Sequence, residues 1–161
     1  MPKLALEMKC TLENLSKLYT CGTDFRFYVQ LRCSNCGEES SSWQYVTLEE
    51  KHTIQGSRGS AHLVEQCKLC KRQNTVEILA DSIKPYESSH NSQFQPIAVF
   101  DCRGVEPTEF DARIGWIAET EAGLRFNEVD LSENDWADYD EQVKVPVSIS
   151  ELEFRFTHVK H

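Results

Sequence analysis

The chain has 161 residues, 40% of them hydrophobic and 27% charged, and its formal net charge at pH 7 is −9. That size fits one globular domain or two small ones. The acidic balance argues against a nucleic-acid partner and against an anionic membrane surface, because both attract basic faces. The longest apolar run, residues 97–100, is too short to span a membrane, and the N-terminus has no signal-peptide pattern. We therefore expect a cytoplasmic protein, with a nuclear location also open.

Alternating apolar and polar residues predict strands along most of the chain. The pattern is strongest in residues 25–32, where Phe25, Phe27, Val29 and Leu31 share one face, and it returns in residues 151–157. No segment sustains the spacing of an amphipathic helix. Weaker strand patterns occupy residues 4–10, 43–48, 61–66, 75–79, 97–103, 113–118 and 125–131. We predict an all-β, mainly antiparallel fold, built as a sandwich or in a barrel-like form.

Four of the seven cysteines form two C-x-x-C pairs, Cys33 with Cys36 and Cys67 with Cys70. The odd count and the expected reducing compartment favour metal binding over disulfides. Four thiolates on two tight turns are the usual donor set of a structural zinc site, and they leave no open position for substrate. Gly37 can supply the positive φ such a turn needs. We therefore predict one structural Zn²⁺ ion bound by Cys33, Cys36, Cys67 and Cys70.

Other uses of these cysteines stay open, namely redox activity or another soft metal such as iron or Cu(I). Basic residues flank the four predicted ligands, and we expect them to offset the thiolate charge rather than to contact phosphate. These residues are Arg32, Lys68, Lys71 and Arg72. For Cys10, Cys21 and Cys102 the spacing shows no pairing, and we expect buried packing rather than a second metal or redox site.

Residues 86–96 are polar and rich in serine, and they predict a linker or long loop. This stretch would separate a zinc-bearing half, residues 1–85, from a metal-free half, residues 97–161, although the two may form one compact domain. An internal duplication is suggested because Cys102 follows Cys10 by 92 residues and Trp136 follows Trp43 by 93. The predicted architecture is therefore two related β halves packed together, one of them bearing metal.

Residues 130–141 carry six acidic side chains interleaved with Trp136 and Tyr139. One interpretation is a solvated acidic loop with a short helical turn capped by Ser132. The other is a docking surface for a protein partner, because exposed aromatic residues mark binding sites. We favour the solvated loop.

Ordered matches along the whole chain resemble the eukaryotic family of CXXC motif containing zinc binding proteins. They are residues 12–14 (LEN), 24–26 (DFR), 33–38 (CSNCGE), 43–45 (WQY), 59–61 (GSA), 67–70 (CKLC), 83–86 (IKPY), 102–104 (CRG) and 135–140 (DWADYD). The resemblance implies a zinc ion on Cys33, Cys36, Cys67 and Cys70. It also implies two related β halves and no established enzymatic activity.

Three functions from different classes follow from these observations. The leading hypothesis is a monomeric, non-enzymatic module that binds another protein, because no catalytic motif accompanies the closed metal site. The alternative is metal handling, in which the thiolates pass zinc or copper to a client protein. The third is a thiol oxidoreductase that uses the C-x-x-C pairs.

Overall fold

The computed structural model describes residues 2–159, so Met1 of the first predicted half and Lys160 and His161 of the second lie outside it. Within that range the chain forms fifteen strands and two short 3-10 helices, Ala80–Ser82 and Ser88–His90. The strands are β1 Lys3–Glu13, β2 Lys17–Thr20, β3 Phe27–Cys33, β4 Gln44–Val46, β5 His52–Thr53, β6 Ser60–Ala61, β7 Leu63–Gln66, β8 Gln73–Ile78, β9 Tyr86–Glu87, β10 Gln95–Arg103, β11 Val105–Asp111, β12 Ile114–Glu119, β13 Arg125–Asp130, β14 Trp136–Asp140 and β15 Val145–His158.

The predicted all-β fold is confirmed, and every strand pairing is antiparallel. In β3 the alternate residues Phe27, Val29 and Leu31 are buried, as the period of two predicts. Among the strands of four or more residues, the sequence pattern missed β2, β11 and β14. Strand β11 reads VEPTEFD, in which Pro107 and charged residues hide the alternation, and its register shifts between Pro107 and Glu109.

The strands form three main sheets and one small hairpin. A six-stranded sheet has the order β14-β15-β1-β10-β8-β7. A three-stranded sheet has the order β11-β3-β4, and a four-stranded sheet has the order β13-β12-β2-β9. Strands β5 and β6 pair with each other, and Gly56 and Gly59 lie at the tip of their hairpin.

Exchanging corresponding strands between the two predicted halves maps the six-stranded sheet onto itself and the three-stranded sheet onto three strands of the four-stranded sheet. In the six-stranded sheet β1, β8 and β7 exchange with β10, β15 and β14, which returns the same order reversed. The same exchange takes β11-β3-β4 to β2-β12-β13. The two halves are therefore related in topology. In the six-stranded sheet, β8 of the first half pairs with β10 of the second, and β15 of the second half pairs with β1 of the first. The duplication suggested by Cys10 and Cys102 fits, because these residues lie on the exchanging strands β1 and β10.

The tryptophan part of the predicted repeat does not hold. Trp43 lies immediately before β4, whose counterpart is β13, whereas Trp136 begins β14, whose counterpart is β7. Equal spacing along the chain failed here because the segment between β4 and β7 includes an extra hairpin, β5–β6.

The core joins both halves through edge-to-face aromatic contacts. Phe27 on β3 lies with its ring centroid 5.5 Å from that of Phe100 on β10, and Phe25 lies 5.2 Å from Trp116 on β12. Phe27, Phe100 and Trp116 are buried almost completely. Each such side chain contributes about 1.5–3 kcal/mol through burial, so a large part of the stability comes from contacts between the halves.

The stretch predicted as a linker or long loop, residues 86–96, contains β9, a 3-10 helix and the start of β10. Tyr86 is fully buried, and its hydroxyl lies within hydrogen-bond distance of the Gln93 carbonyl oxygen at 2.7 Å. The Asn91 side chain pairs with the backbone of Leu12, accepting from its N–H at 2.9 Å and donating to its carbonyl at 3.0 Å. This stretch is thus tied to β1. The division of the chain at this stretch stays a prediction.

The acidic segment, residues 130–141, differs from its predicted form. The short helical turn at Ser132 is wrong, because Ser132 donates its backbone N–H to Asp130 Oδ1 at 2.9 Å and closes a turn between β13 and β14. Residues 136–140 are then an edge strand of the six-stranded sheet. No helix among residues 2–159 has the length and apolarity needed to cross a membrane.

Candidate metal centre

The first C-x-x-C pair occupies a tight turn at the end of β3. The Gly37 N–H donates to the Cys33 carbonyl at 2.8 Å, and the Cys33 N–H donates to the Glu38 carbonyl at 2.9 Å. Gly37 has φ of +81°, which confirms the conformation expected from the sequence. The turn therefore presents both cysteines on the same side of a bend.

The second pair occupies an equivalent turn between β7 and β8. The Lys71 N–H donates to the Cys67 carbonyl at 2.9 Å, and the Cys67 N–H donates to the Arg72 carbonyl at 2.9 Å. Lys71 takes the place of Gly37 with φ of +66°, a conformation that costs a non-glycine residue about 1–2 kcal/mol. The two backbone hydrogen bonds that close this turn offset the conformational strain at Lys71.

The structure brings all four predicted ligand residues together. Their sulfur atoms all lie within 4.8 Å of one another, with Cys33 Sγ 3.7 Å from Cys70 Sγ and Cys36 Sγ 3.5 Å from Cys67 Sγ. A tetrahedral zinc ion with Zn–S bonds of about 2.3 Å requires neighbouring sulfurs about 3.8 Å apart. The donor set and its spacing therefore fit a tetrahedral thiolate-bound metal. Within residues 2–159 this is the one cluster of three or more potential side-chain ligands.

Hydrogen bonds prepare part of this cluster for the thiolate form. The Asn35 side chain and the Arg72 backbone N–H lower the pKa of Cys70 to about 6. The backbone N–H of Cys36 likewise lowers the pKa of Cys33. The pKa of Cys36 is instead raised to about 12, because desolvation and hydrogen bonding with the Cys67 thiol outweigh the lowering effect of the Glu38 N–H. A metal ion would replace the protons that the four sulfurs share.

Asn35 is a residue that the sequence analysis missed. Its side chain hydrogen-bonds Cys70, and its Oδ1 accepts a hydrogen bond from Arg72 Nη1 at 3.1 Å. Arg72 is thus linked to the Cys70 sulfur by way of the Asn35 side chain. Arg32 pairs instead with Glu106 at 3.1 Å, so its charge is compensated away from the sulfurs. The sequence signal for Asn35 was its place inside the first C-x-x-C turn, next to the ligand Cys36.

A backbone contact with the second half supports the first turn, and Gly104 lies against Asn74 next to the second turn. The Ser34 N–H donates to the Gly104 carbonyl at 2.9 Å. Gly104 has φ of +77°, and a Cβ there would lie 2.4 Å from Asn74 Oδ1. Asn74 is fully buried, is the second residue of β8 just beyond the second turn, and donates from Nδ2 to Glu65 Oε1 at 3.1 Å. Glycine at position 104 therefore allows the second half to support the metal centre.

The remaining cysteines lie outside the cluster. Cys10 and Cys102 are fully buried, and desolvation raises the pKa of each thiol to about 12. Cys21 is partly exposed. Hydrophobic packing was predicted for all three, and Cys10 and Cys102 are indeed buried in the core.

The candidate ligands also differ in how far solvent reaches them. Cys33 and Cys67 are buried, Cys70 is partly exposed and Cys36 is exposed. A cavity of about 140 Å³ adjoins Cys33 and Cys67 and is walled by polar residues that include Glu38, Glu39 and Glu65. A metal here would sit near the surface, held from the interior side by the two buried sulfurs.

Known proteins resemble this chain along nearly its entire length. A family model described as "CXXC motif containing zinc binding protein, eukaryotic" matches residues 5–157. Relatives described as CXXC motif containing zinc binding protein include one from Xenopus laevis, 48% identical over 98% of this chain and 99% of its own, and one from Homo sapiens, 46% identical over 97% and 98%.

Two solved structures share the fold. A crystal structure described as that of C1orf123 has a TM-score of 0.93 and 45% identity, covering 98% of this chain and 99% of its own. A structure described as a hypothetical protein from Plasmodium falciparum has a TM-score of 0.89 and 25% identity, covering 98% of this chain and all of its own. The β architecture around the four cysteines is therefore common to these proteins.

Proposed function

Because the chain belongs to the eukaryotic family of CXXC motif containing zinc binding proteins, we propose that it is a non-enzymatic protein-interaction module stabilised by one zinc ion. The ion is bound by Cys33, Cys36, Cys67 and Cys70, and the module acts as a monomer in the cytoplasm. The observation that carries the metal assignment is the set of four sulfur atoms within 4.8 Å. Four protein ligands complete a tetrahedral shell, which leaves no position for substrate.

The proposed ion works by joining two distant turns. It links the end of β3 to the turn between β7 and β8 and so closes the excursion that contains β4, β5 and β6. These three strands are only two or three residues long and bury few side chains. Burial alone stabilises such a segment weakly, so the metal supplies much of the free energy that orders it.

The interaction surface that we propose is the outer edge of β14. This strand ends the six-stranded sheet, and its residues Ala137, Asp138 and Tyr139 are exposed. Tyr139 is 42% exposed, and tyrosine is enriched among the residues that contribute most to binding energy at protein interfaces. Asp138 Oδ1 accepts the Tyr139 N–H at 2.7 Å, and its charge protects the edge from unspecific strand pairing.

Quantitative pull-down with the zinc-loaded full chain tests this surface. We expect Tyr139→Ala and Asp138→Lys to reduce recovery of specifically bound proteins at least tenfold. Ile114→Ala is the matched control, because Ile114 is an exposed hydrophobic residue on β12, outside the six-stranded sheet. Unchanged recovery with both β14 variants would remove this edge as the docking surface. Native mass spectrometry of the same preparation should show one zinc per chain.

Metal handling is the second candidate function, and the exposure of Cys36 favours it. An exposed ligand can exchange with an incoming thiolate of a client protein, whereas a buried one cannot. If the protein delivers zinc, a competing apo-protein should accelerate zinc release in proportion to its concentration. A release rate independent of that concentration would leave the ion with a structural role only.

Thiol oxidoreductase activity is the third candidate, and thiol counting separates it from the others. An oxidoreductase should interconvert dithiol and disulfide forms of a C-x-x-C pair during turnover of a model disulfide. A protein that keeps four zinc-bound thiolates and shows no turnover is not an oxidoreductase of this kind.

A further inference from the structure

The second half contains a pair of turns that corresponds to the two metal-binding turns. Exchange of the halves takes the turn after β3 to the turn after β12, and the turn between β7 and β8 to the turn between β14 and β15. In the first, the Thr120 N–H donates to the Leu124 carbonyl at 2.9 Å and the Gly123 N–H to the Thr120 carbonyl at 3.0 Å. These bonds repeat the Cys33 turn with one residue fewer.

The other turn repeats the Cys67 turn even more closely. The Lys144 N–H donates to the Asp140 carbonyl at 2.8 Å, and Lys144 has φ of +57°, as Lys71 has +66°. Asp140 stands where the first half has Cys67, and Thr120 stands where it has Cys33. Between the turns lies a cleft of about 480 Å³, lined on both sides by their residues.

The chemistry of this cleft differs from that of the metal centre. Ala122 and Val143 stand at the positions of the second cysteine in each turn, and neither side chain can bind a metal. The Thr120 hydroxyl accepts the Leu124 N–H at 3.1 Å, and Asp140 Oδ1 accepts the Gln142 N–H at 2.9 Å. Because these two oxygen atoms accept hydrogen bonds within the turns, the cleft lacks the set of ligand atoms that a metal site needs.

Asp140 nevertheless presents a carboxyl group to the cleft. Its residue is 2% exposed, and it forms no ion pair with any residue in the described range 2–159. Oδ1 accepts both hydrogen bonds that the carboxylate makes there, from Gln142 and Val143, so Oδ2 is left without a partner. Solvent reaches Oδ2, which can therefore accept a charge-assisted hydrogen bond from an ammonium group. Because Asp140 lines the cleft, the open approach is from that side.

We propose that this cleft receives a lysine side chain of a protein partner, with the ammonium group at Asp140. The rest of the cleft fits the aliphatic stem of that side chain, since Leu12, Leu15, Ala122 and Val143 form apolar walls. Val143 is 59% exposed in the free chain and would become covered. Glu121 at the mouth adds a second negative charge that steers a basic partner.

This inference rests on the proposed interaction function and specifies its partner. Asp140 is the last residue of β14, so the cleft continues the edge that carries Asp138 and Tyr139. A basic extended segment lying along β14 would reach the cleft at the end of that strand. The partner chemistry is therefore a short basic segment with one lysine buried at Asp140.

The probe for the test is N-acetyl-lysine methylamide, titrated into the zinc-loaded full chain at about 150 mM salt, where surface attraction is screened. Backbone NMR signals of Gln142, Val143 and Leu124 should shift with saturation, at a Kd on the order of millimolar. N-acetyl-norleucine methylamide has a similar stem without the charge and should shift them at least tenfold more weakly. Equal shifts with both probes would overturn the proposal.

Two variants localise the binding. Asp140→Asn keeps an acceptor for the turn but removes the charge, and it should abolish saturable shifts, whereas Asp138→Asn on the exposed edge should retain them. Ala122→Met fills the cleft without altering Asp140 and should weaken binding at least fivefold. Unchanged titration in Asp140→Asn or in Ala122→Met would disprove the lysine site. Partner recovery that depends on Tyr139 but not on Asp140 would sink this inference while leaving the interaction module in place.

Discussion

The two pairs of turns share a backbone and differ in what lies between them. In the first half, four sulfur atoms meet within 4.8 Å, and in the second, the corresponding turns enclose a cleft of about 480 Å³. Cys67 and Asp140 occupy equivalent positions, and both are buried. The comparison teaches that β-hairpin geometry alone maintains such turns. We expect the metal to contribute most where the intervening chain buries few side chains, as in β4, β5 and β6.

The largest effect expected from this comparison is on the stability of the metal centre. Cys67→Ser should lower the free energy of unfolding by more than about 3 kcal/mol, because metal binding free energy contributes to folding. Asp140→Ser at the equivalent position should cost only about 1–2 kcal/mol, since serine can still cap the turn. Urea unfolding of both variants measures the difference. Equal losses would show that the two turns depend on their residues to the same degree.

The second prediction concerns glycines in the two halves. Gly104→Ala should destabilise the protein by about 2–4 kcal/mol, because its Cβ would lie 2.4 Å from Asn74 Oδ1 at a positive φ. Gly123→Ala is the matched control, with φ of +91° but nothing within 4 Å of the added Cβ, and should cost about 1 kcal/mol. Thermal unfolding with zinc present distinguishes them. A Gly104→Ala cost no larger than the control's would mean that Asn74 moves away freely.

The third prediction uses the equivalent thiols of β1 and β10. Burial raises the pKa of Cys10 and of Cys102 to about 12, above the value of about 8.5 for an unfolded thiol. Both thiols therefore contribute stability in full below about pH 8.5, and this contribution is lost as the pH rises toward 12. Urea midpoints between pH 8 and 10.5 should fall with a slope that Cys102→Ala reduces. A slope identical in wild type and Cys102→Ala would contradict the burial effect.

The smallest expected effect is on thiol reactivity in the intact protein. With zinc bound, a maleimide should modify Cys21 first, because it is partly exposed and lies outside the metal cluster. Cys10 and Cys102 should react at least a hundredfold more slowly, since so little thiolate is present at neutral pH. Mass spectrometry of peptides after timed labelling measures the order. Early labelling of Cys36, which is exposed, would contradict this order and show that bound metal does not protect that thiol.

Strong local patterns predicted much of the fold. The alternation in residues 25–32 and 151–157 identified β3 and the end of β15, because each has one face in the core. Strands β2, β11 and β14 lacked such a pattern. Strand β2 has only four residues, three of the five residues of β14 are exposed, and Pro107 and charged residues interrupt the alternation in β11.

The four cysteines of the candidate metal site could also be predicted from short-range sequence patterns. Two C-x-x-C pairs predicted the four clustered cysteines, since tight turns bring residues at that spacing to the same side. The roles of three further residues could not be predicted, because they depend on contacts between distant parts of the chain. Asn35 hydrogen-bonds Cys70, and Gly104 accepts a hydrogen bond from the first turn and lies against Asn74.

The sequence by itself determined the β class, the four clustered cysteines and the family, because each rests on spacing within a strand, a turn or the ordered motifs. Only the tertiary structure decided how the halves combine. Strand exchange places β1 beside β10 and joins their cores, and it sets Asp140 opposite Thr120 as a second, metal-free version of the first turn pair. The physical reason is that contacts between distant strands depend on the fold as a whole, which no local spacing records.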